Sequence, residues 1–143
     1  MQSRLLHDAA QKTYAVVLET GEDVLPCLMR FAKEQRLAAS ELTAIGAFQD
    51  VVLGYFDWER KDYKRIPVNE QVEVVSMIGD IALDGDQPTL HVHLVVGRSD
   101  GSAMGGHLLE AHVRPTLEVV ITESPAHLCR RHDAESGLAL IRF

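Results

Sequence analysis

From Val51 to its end the chain is a near-continuous succession of β-patterned segments, and only one earlier stretch repeats at helical spacing. That imbalance constrains the fold more than any other feature. Residues 51–58 and 62–68 flank a charged turn and predict a hairpin. Residues 71–83 predict a long strand that bends at Gly79 and closes at the turn Asp84-Gly85. Segments 90–96, 103–113 and 117–122 follow, and a last hairpin pairs 128–132 with 138–143 around Ser136-Gly137. Upstream, residues 14–18 read as a strand turning at Gly21. Asp23 is placed to cap a helix, and Pro26 falls in the first turn, where a missing amide hydrogen costs nothing. Leu25, Leu28 and Ala32 recur at helical spacing and should face the core, with the helix ending near Arg36. Ser40 and Glu41 read as a polar break before a strand at 42–48 that bends at Gly46. One helix covers only part of one face of so many strands. The expected fold is therefore α+β, mainly an antiparallel sheet with one principal helix packed on it, the other side covered by sheet closure or by partner chains.

At 143 residues the chain has the size of one domain, and residues 1–143 read as one core without an internal repeat or linker. It holds no apolar run approaching about 18 residues, which argues against a membrane-spanning helix. Between Met1 and Lys12 the only large apolar residues standing together are Leu5 and Leu6, too little for a secretory signal, so the expected location is the cytoplasm. In that compartment Cys27 and Cys129, far apart and in apolar surroundings, read as buried free thiols. The formal charge of −7 repels nucleic acid on average. The densest basic segment, Arg60, Lys61, Lys64 and Arg65, is interrupted by Asp62 and reads as a solvated hairpin tip. Tyr55 and Trp58, on the same hairpin, fit one buried and one partly exposed face. The chain contains no P-loop, dinucleotide fingerprint, paired CxxC or nucleophile elbow.

The chemistry concentrates in histidines. His91 and His93 are two apart on a predicted strand, so both imidazoles leave the same face while Val92 and Leu94 leave the other. A three-residue loop at Ser99-Asp100-Gly101 would put Gly101 at the left-handed position and set His93 directly opposite His107, with His91 on the diagonal. A two-residue loop would shift the register by one and throw His107 to the opposite face. Three neutral imidazoles on one face suit a divalent first-row metal, zinc first among them, with at least one coordination position left open. Gly105 and Gly106 remove side chains beside the site, admitting a ligand or a close backbone approach. Glu73, Glu110 and Glu118 are candidates for a fourth ligand or for a group that orients an imidazole. His7, His112, His127 and His132 have no such relation and read as structural.

Gly21-Glu22-Asp23 before the helix, Ala44-Ile45-Gly46-Ala47-Phe48, the run from Glu73 to Ile81, His91-Val92-His93-Leu94 and Gly105-Gly106-His107-Leu108 together resemble the plants-and-prokaryotes-conserved (PPC) domain in its single-domain form. The resemblance runs from Tyr14 to the C-terminus. It implies an antiparallel α+β domain assembled as a homotrimer, with a metal at the positions of His91, His93 and His107. Plant members carry a basic AT-hook and are described as DNA-binding; no Arg-Gly-Arg arm stands in this chain. The fold is also similar to that of acetolactate decarboxylase, a zinc lyase. Two functions follow as expectations: a metal-binding regulatory or DNA-binding module acting through oligomer surfaces, or a metal-dependent enzyme of lyase or hydrolase type. In the second, the ion polarises a small carbonyl substrate or activates water, and a carboxylate such as Glu110 moves a proton. An ion that only braces the hairpin is the plainest alternative.

Overall fold

The computed structural model describes residues 1–8, 10–125 and 127–142. In chain order the elements are β1 (Gln2–Asp8), β2 (Lys12–Glu19), α1 (Val24–Gln35), β3 (Ala39–Asp57), β4 (Asp62–Val68), β5 (Val72–Asp84), β6 (Gln87–Gly97), β7 (Ala103–Glu123), β8 (Cys129–His132) and β9 (Ala139–Ile141). Apart from a short parallel contact between β5 and β8, every pairing is antiparallel. The sheet closes on itself. Strand β3 pairs with β5 and β7, and β6 also pairs with β5 and β7, so these four strands form a hydrogen-bonded circuit. Among the described residues no helix is long and apolar enough to cross a membrane.

Closure is possible because β3 and β7 are long and irregular. The register of β3 slips near Gly46 against both neighbours, and a side chain at Gly46 would run into the backbone of Thr116 and Leu117. Two sequence expectations change here. Ser40 and Glu41 do not break the chain: Ser40 is buried inside β3, where its hydroxyl donates to the Glu123 carboxylate. Glu123 also accepts from the Ala38 amide at 2.9 Å, so the polar residues are satisfied within the sheet. Likewise segments 103–113 and 117–122 are one strand, continuous through the cis Arg114–Pro115 bond.

The enclosed core joins Leu42, Phe48 and Leu53 of β3, Met77 and Ile81 of β5, Val92 and Leu94 of β6, and Leu108, Leu117 and Ile121 of β7. Helix α1 packs on β6 and β7. Asp23 holds the N-cap position in extended conformation, though its side chain makes no capping bond, and Arg36 ends the helix in the left-handed region at φ 56°. Val24, Cys27, Leu28, Phe31 and Ala32 form the buried face; Leu25 is only partly buried, on its margin. Phe31 meets Tyr14 of β2 edge-on at 5.4 Å between ring centroids, which ties the helix to the strand before it.

Cys129 also departs from expectation. Both thiols are free, and Cys27 is buried, but Cys129 is exposed. Alternation along β8 turns Arg130 inward instead, because Arg130 finds an ionic partner there, Asp80 of β5.

Candidate metal centre

The loop between β6 and β7 fixes the register that matters. Arg98 and Ser102 close it through the Arg98 amide on the Ser102 carbonyl at 2.8 Å, and the Gly101 amide bonds the Arg98 carbonyl at 2.9 Å. Gly101 sits at φ 81°, where only glycine is unstrained, and Asp100 accepts from the Ser102 amide and hydroxyl at 2.9 and 2.6 Å. This is the three-residue loop, and it sets His93 opposite His107. His91 lies two residues earlier on the same face and opposite Asp80 of β5.

The three imidazoles converge. His91 Nε2 and His93 Nε2 are 3.2 Å apart, and one ligand atom from each of the three residues lies within 4.8 Å of the others. Two nitrogens each about 2.05 Å from a tetrahedral zinc stand about 3.3 Å apart, so the His91–His93 spacing fits a shared ion. The electrostatics agree with neutral donors. Burial, helped by the His91 charge, lowers the His93 pKa; burial, then the charges of His91 and His93, lowers that of His107 to about 4. His107 Nδ1 is buried without a hydrogen-bond partner, which a protein tolerates where another group completes the site. The donor chemistry, the spacing and this orphan nitrogen all fit a divalent transition metal.

Glycines bring the strands this close. A side chain at Gly106 would meet the Gly54 carbonyl of β3 at 2.7 Å and one at Gly105 the Leu94 carbonyl of β6 at 3.1 Å, so the pair serves close backbone approaches of β7 to both neighbours. Gly54 is itself opposite His107, and a Cβ there would strike the Tyr63 ring at 2.8 Å. With that space free, Tyr63 stacks on the His107 imidazole, centroids 4.5 Å apart and planes 23° apart.

Among the described residues the converging group consists of the three histidines, and the acidic candidates stand elsewhere. Glu110 gives its carboxylate to Arg65 at 2.6 Å, Glu73 pairs across from Gly97, and Glu118 across from Ile45. The carboxylate near an imidazole is Asp80, 3.7 Å from His91 Nδ1 and bonded to the nearly buried Arg130. Burial pushes the Asp80 carboxyl up, but His91 and the Arg130 charge outweigh it and hold the group below its ordinary range. Sequence reasoning passed over both residues. The available signal was a lone aspartate within the apolar run Met77-Ile78-Gly79-Asp80-Ile81. The register runs unbroken through Gly79 and slips at Val75 instead, and a side chain at Gly79 would collide with the His91 carbonyl.

The remaining histidines are apart. His112 sits between Asp50, at 2.6 Å from Nδ1, and Asp23, at 2.9 Å from Nε2; His127 and His132 are exposed, and the His7 side chain lies outside the described residues. His91 lines two cavities. One of 380 Å³ is shared with Thr43, Ile78, Asp80 and His93, and one of 220 Å³ with Tyr63, Leu90, His107, Arg130 and Leu138.

The sequence profile of the Plants and Prokaryotes Conserved (PCC) domain matches residues 7–125. This chain belongs to the PCC domain family. Solved PCC-like structures superpose closely. A metal-containing protein from Archaeoglobus fulgidus is 32% identical, with a TM-score of 0.85 over 92% of this chain and 94% of that one. A plant- and prokaryote-conserved protein from Pyrococcus horikoshii is 29% identical, with a TM-score of 0.86 over 99% and 95%. A protein from Bacteroides thetaiotaomicron whose name proposes DNA binding is 27% identical, with a TM-score of 0.88 over 99% and 97%. A Staphylococcus aureus protein described as similar to α-acetolactate decarboxylase shares the fold at 15% identity, with a TM-score of 0.52 over 75% of this chain and 50% of that one. The bifunctional protein GlmU of a Synechococcus strain is 31% identical over 129 residues, and the PCC chain spans 20% of that protein's length.

Proposed function

We propose that this PCC protein is a metal-binding regulatory module in which His91, His93 and His107 hold a divalent ion, zinc, and leave a coordination position open to a small ligand. The observation that carries the reading is the convergence of three imidazoles at 3.2 Å between the Nε2 atoms of His91 and His93. A bound zinc would act there as a Lewis acid toward an oxygen-bearing ligand. The chain's own residues supply neutral nitrogens, a Tyr63 ring that fixes the His107 plane, and cavities on two sides of His91 that admit a small molecule.

The same proposal includes assembly as a homotrimer. What supports it is an outer sheet face that a lone chain leaves in water: Ile45, Val75, Ile78 and Val120 are 60, 59, 57 and 44% exposed and border one shallow depression. Ile78 also lines the cavity beside His91 and His93, so assembly would cover that side of the metal centre. Sedimentation equilibrium should give three times the monomer mass for the parent chain, and Ile45→Glu with Ile78→Glu should reduce it to the monomer mass.

An enzymatic reading, a lyase or hydrolase acting on a small carbonyl compound, is favoured by the cavities that flank His91. In it Glu110 would have to leave Arg65 to move a proton. DNA binding draws on a relative's name, while Arg65 of the basic hairpin is neutralised by Glu110 and the formal charge is −7. Elemental analysis of tag-free protein by inductively coupled plasma mass spectrometry tests the metal. Near one zinc per chain is expected, falling to background in His91→Ala, His93→Ala and His107→Ala. Equal metal in all four proteins would overturn the proposal.

A further inference from the structure

We infer that Asp80, anchored by Arg130, is a positioning residue that keeps the His91 proton on Nδ1 and thereby presents the Nε2 lone pair to the metal. The inference rests on the three-histidine reading for its purpose, but the tautomer itself belongs to the metal-free protein.

The ring of His91 has two differently occupied ends. Its Nε2 faces His93 Nε2 at 3.2 Å, inside the cluster, and its Nδ1 faces Asp80 Oδ2 at 3.7 Å. The second distance is longer than a hydrogen bond, and across it the carboxylate charge acts on the dipole of a neutral imidazole N–H. A carboxylate only accepts, so the imidazole end beside it must carry the proton to gain from the contact. That leaves the lone pair on Nε2, the atom a cluster-bound ion needs. A free imidazole in water prefers its proton on Nε2, so the neighbour has to reverse an intrinsic preference.

Asp80 is unusually well placed to do this. It stands directly across from His91 in the β5–β6 register, and the adjacent Gly79 lets the two backbones close without a Cβ colliding with the His91 carbonyl. Arg130, its side chain 6% exposed, donates from Nη2 to Asp80 Oδ1 and from Nη1 to the Ala139 carbonyl at 3.1 Å. One carboxylate oxygen is thus pinned by the guanidinium, and the other is left for His91. Among the described residues neither His93 nor His107 has a carboxylate in this position, and His107 Nδ1 is buried with no partner.

The test uses Asp80→Asn and the double variant Asp80→Asn/Arg130→Met, which removes the pair without leaving a buried guanidinium unpaired. Nitrogen-15 spectra of metal-free, histidine-labelled protein at pH 8, with His91 assigned by its loss in His91→Ala, read the tautomer. Parent protein should show the Nδ1–H form, and both variants should shift toward Nε2–H. Competition with a chromophoric chelator should show zinc affinity reduced about 10- to 100-fold in both. If the double variant recovers the parent's melting temperature yet keeps the altered tautomer, the role is positional. If the double variant also recovers the tautomer, or if His91 in the parent carries its proton on Nε2, the inference is wrong. A parent that binds no zinc would defeat the metal reading, while the tautomer result would still decide the role of Asp80.

Discussion

Two histidine sites on the same sheet have been given opposite chemistry. His112 lies between two carboxylates, Asp50 and Asp23, and its hydrogen bond to Asp50, aided by both negative charges, raises its pKa. Burial and the neighbouring imidazoles lower the pKa values of His93 and His107. The first arrangement favours the protonated ring and ties the helix start to β3. The second gathers nitrogen donors that face one another, His93 Nε2 at 3.2 Å from His91 Nε2, and leaves His107 Nδ1 without a partner among the described residues. Residue type alone does not separate them; the presence or absence of an adjacent carboxylate does.

Metal removal should produce the largest contrast. Zinc at one hundred times its dissociation constant stabilises a native protein by about 2.7 kcal/mol. Calorimetry should show that gain in the parent and in His112→Gln, its reversal by a chelator, and no gain in His93→Ala. A zinc-dependent rise in His93→Ala would break the distinction between the sites.

Acid should separate them next, with opposite signs. His107 has its pKa lowered from 6.5 to about 4, so between those values the unfolded chain binds more protons and stability falls as pH drops. His107→Gln should flatten that part of a denaturant-stability curve of the metal-free protein. His112, with its raised pKa, contributes stability that is complete below about 6.5 and is lost as pH climbs through its folded value. The contribution is the smallest effect, at most about 1 kcal/mol, because the side chain is 46% exposed and its ion pairs are screened by solvent. Asp50→Asn should return the His112 titration, followed by proton NMR, toward the value of a free histidine; an unchanged midpoint would remove Asp50 as the cause.

The difference between the two sites was only half legible in the sequence. Local rules were sufficient for the trio: alternation put His91 and His93 on one face, and the left-handed demand at Gly101 selected the loop that brings His107 across. The helix and most strands followed from the same kind of pattern. Asp80 faces His91 across the β5–β6 hairpin, but His112 depends on Asp23 and Asp50, and Asp80 on Arg130, partners from distant elements that no local spacing encodes. For the same reason Ser40 looked like a break until Glu123 was beside it, and Cys129 looked buried until Arg130 took the inward position. Gly79, read as a bend, turned out to permit the approach of β5 to His91.

A zinc-soaked crystal and an anomalous difference map collected at the zinc edge would decide whether the three imidazoles share an ion. One strong peak is expected, about 2.0–2.1 Å from a nitrogen of each of His91, His93 and His107. A map empty at the trio, or with its only peak beside His112 and Asp50, would contradict it.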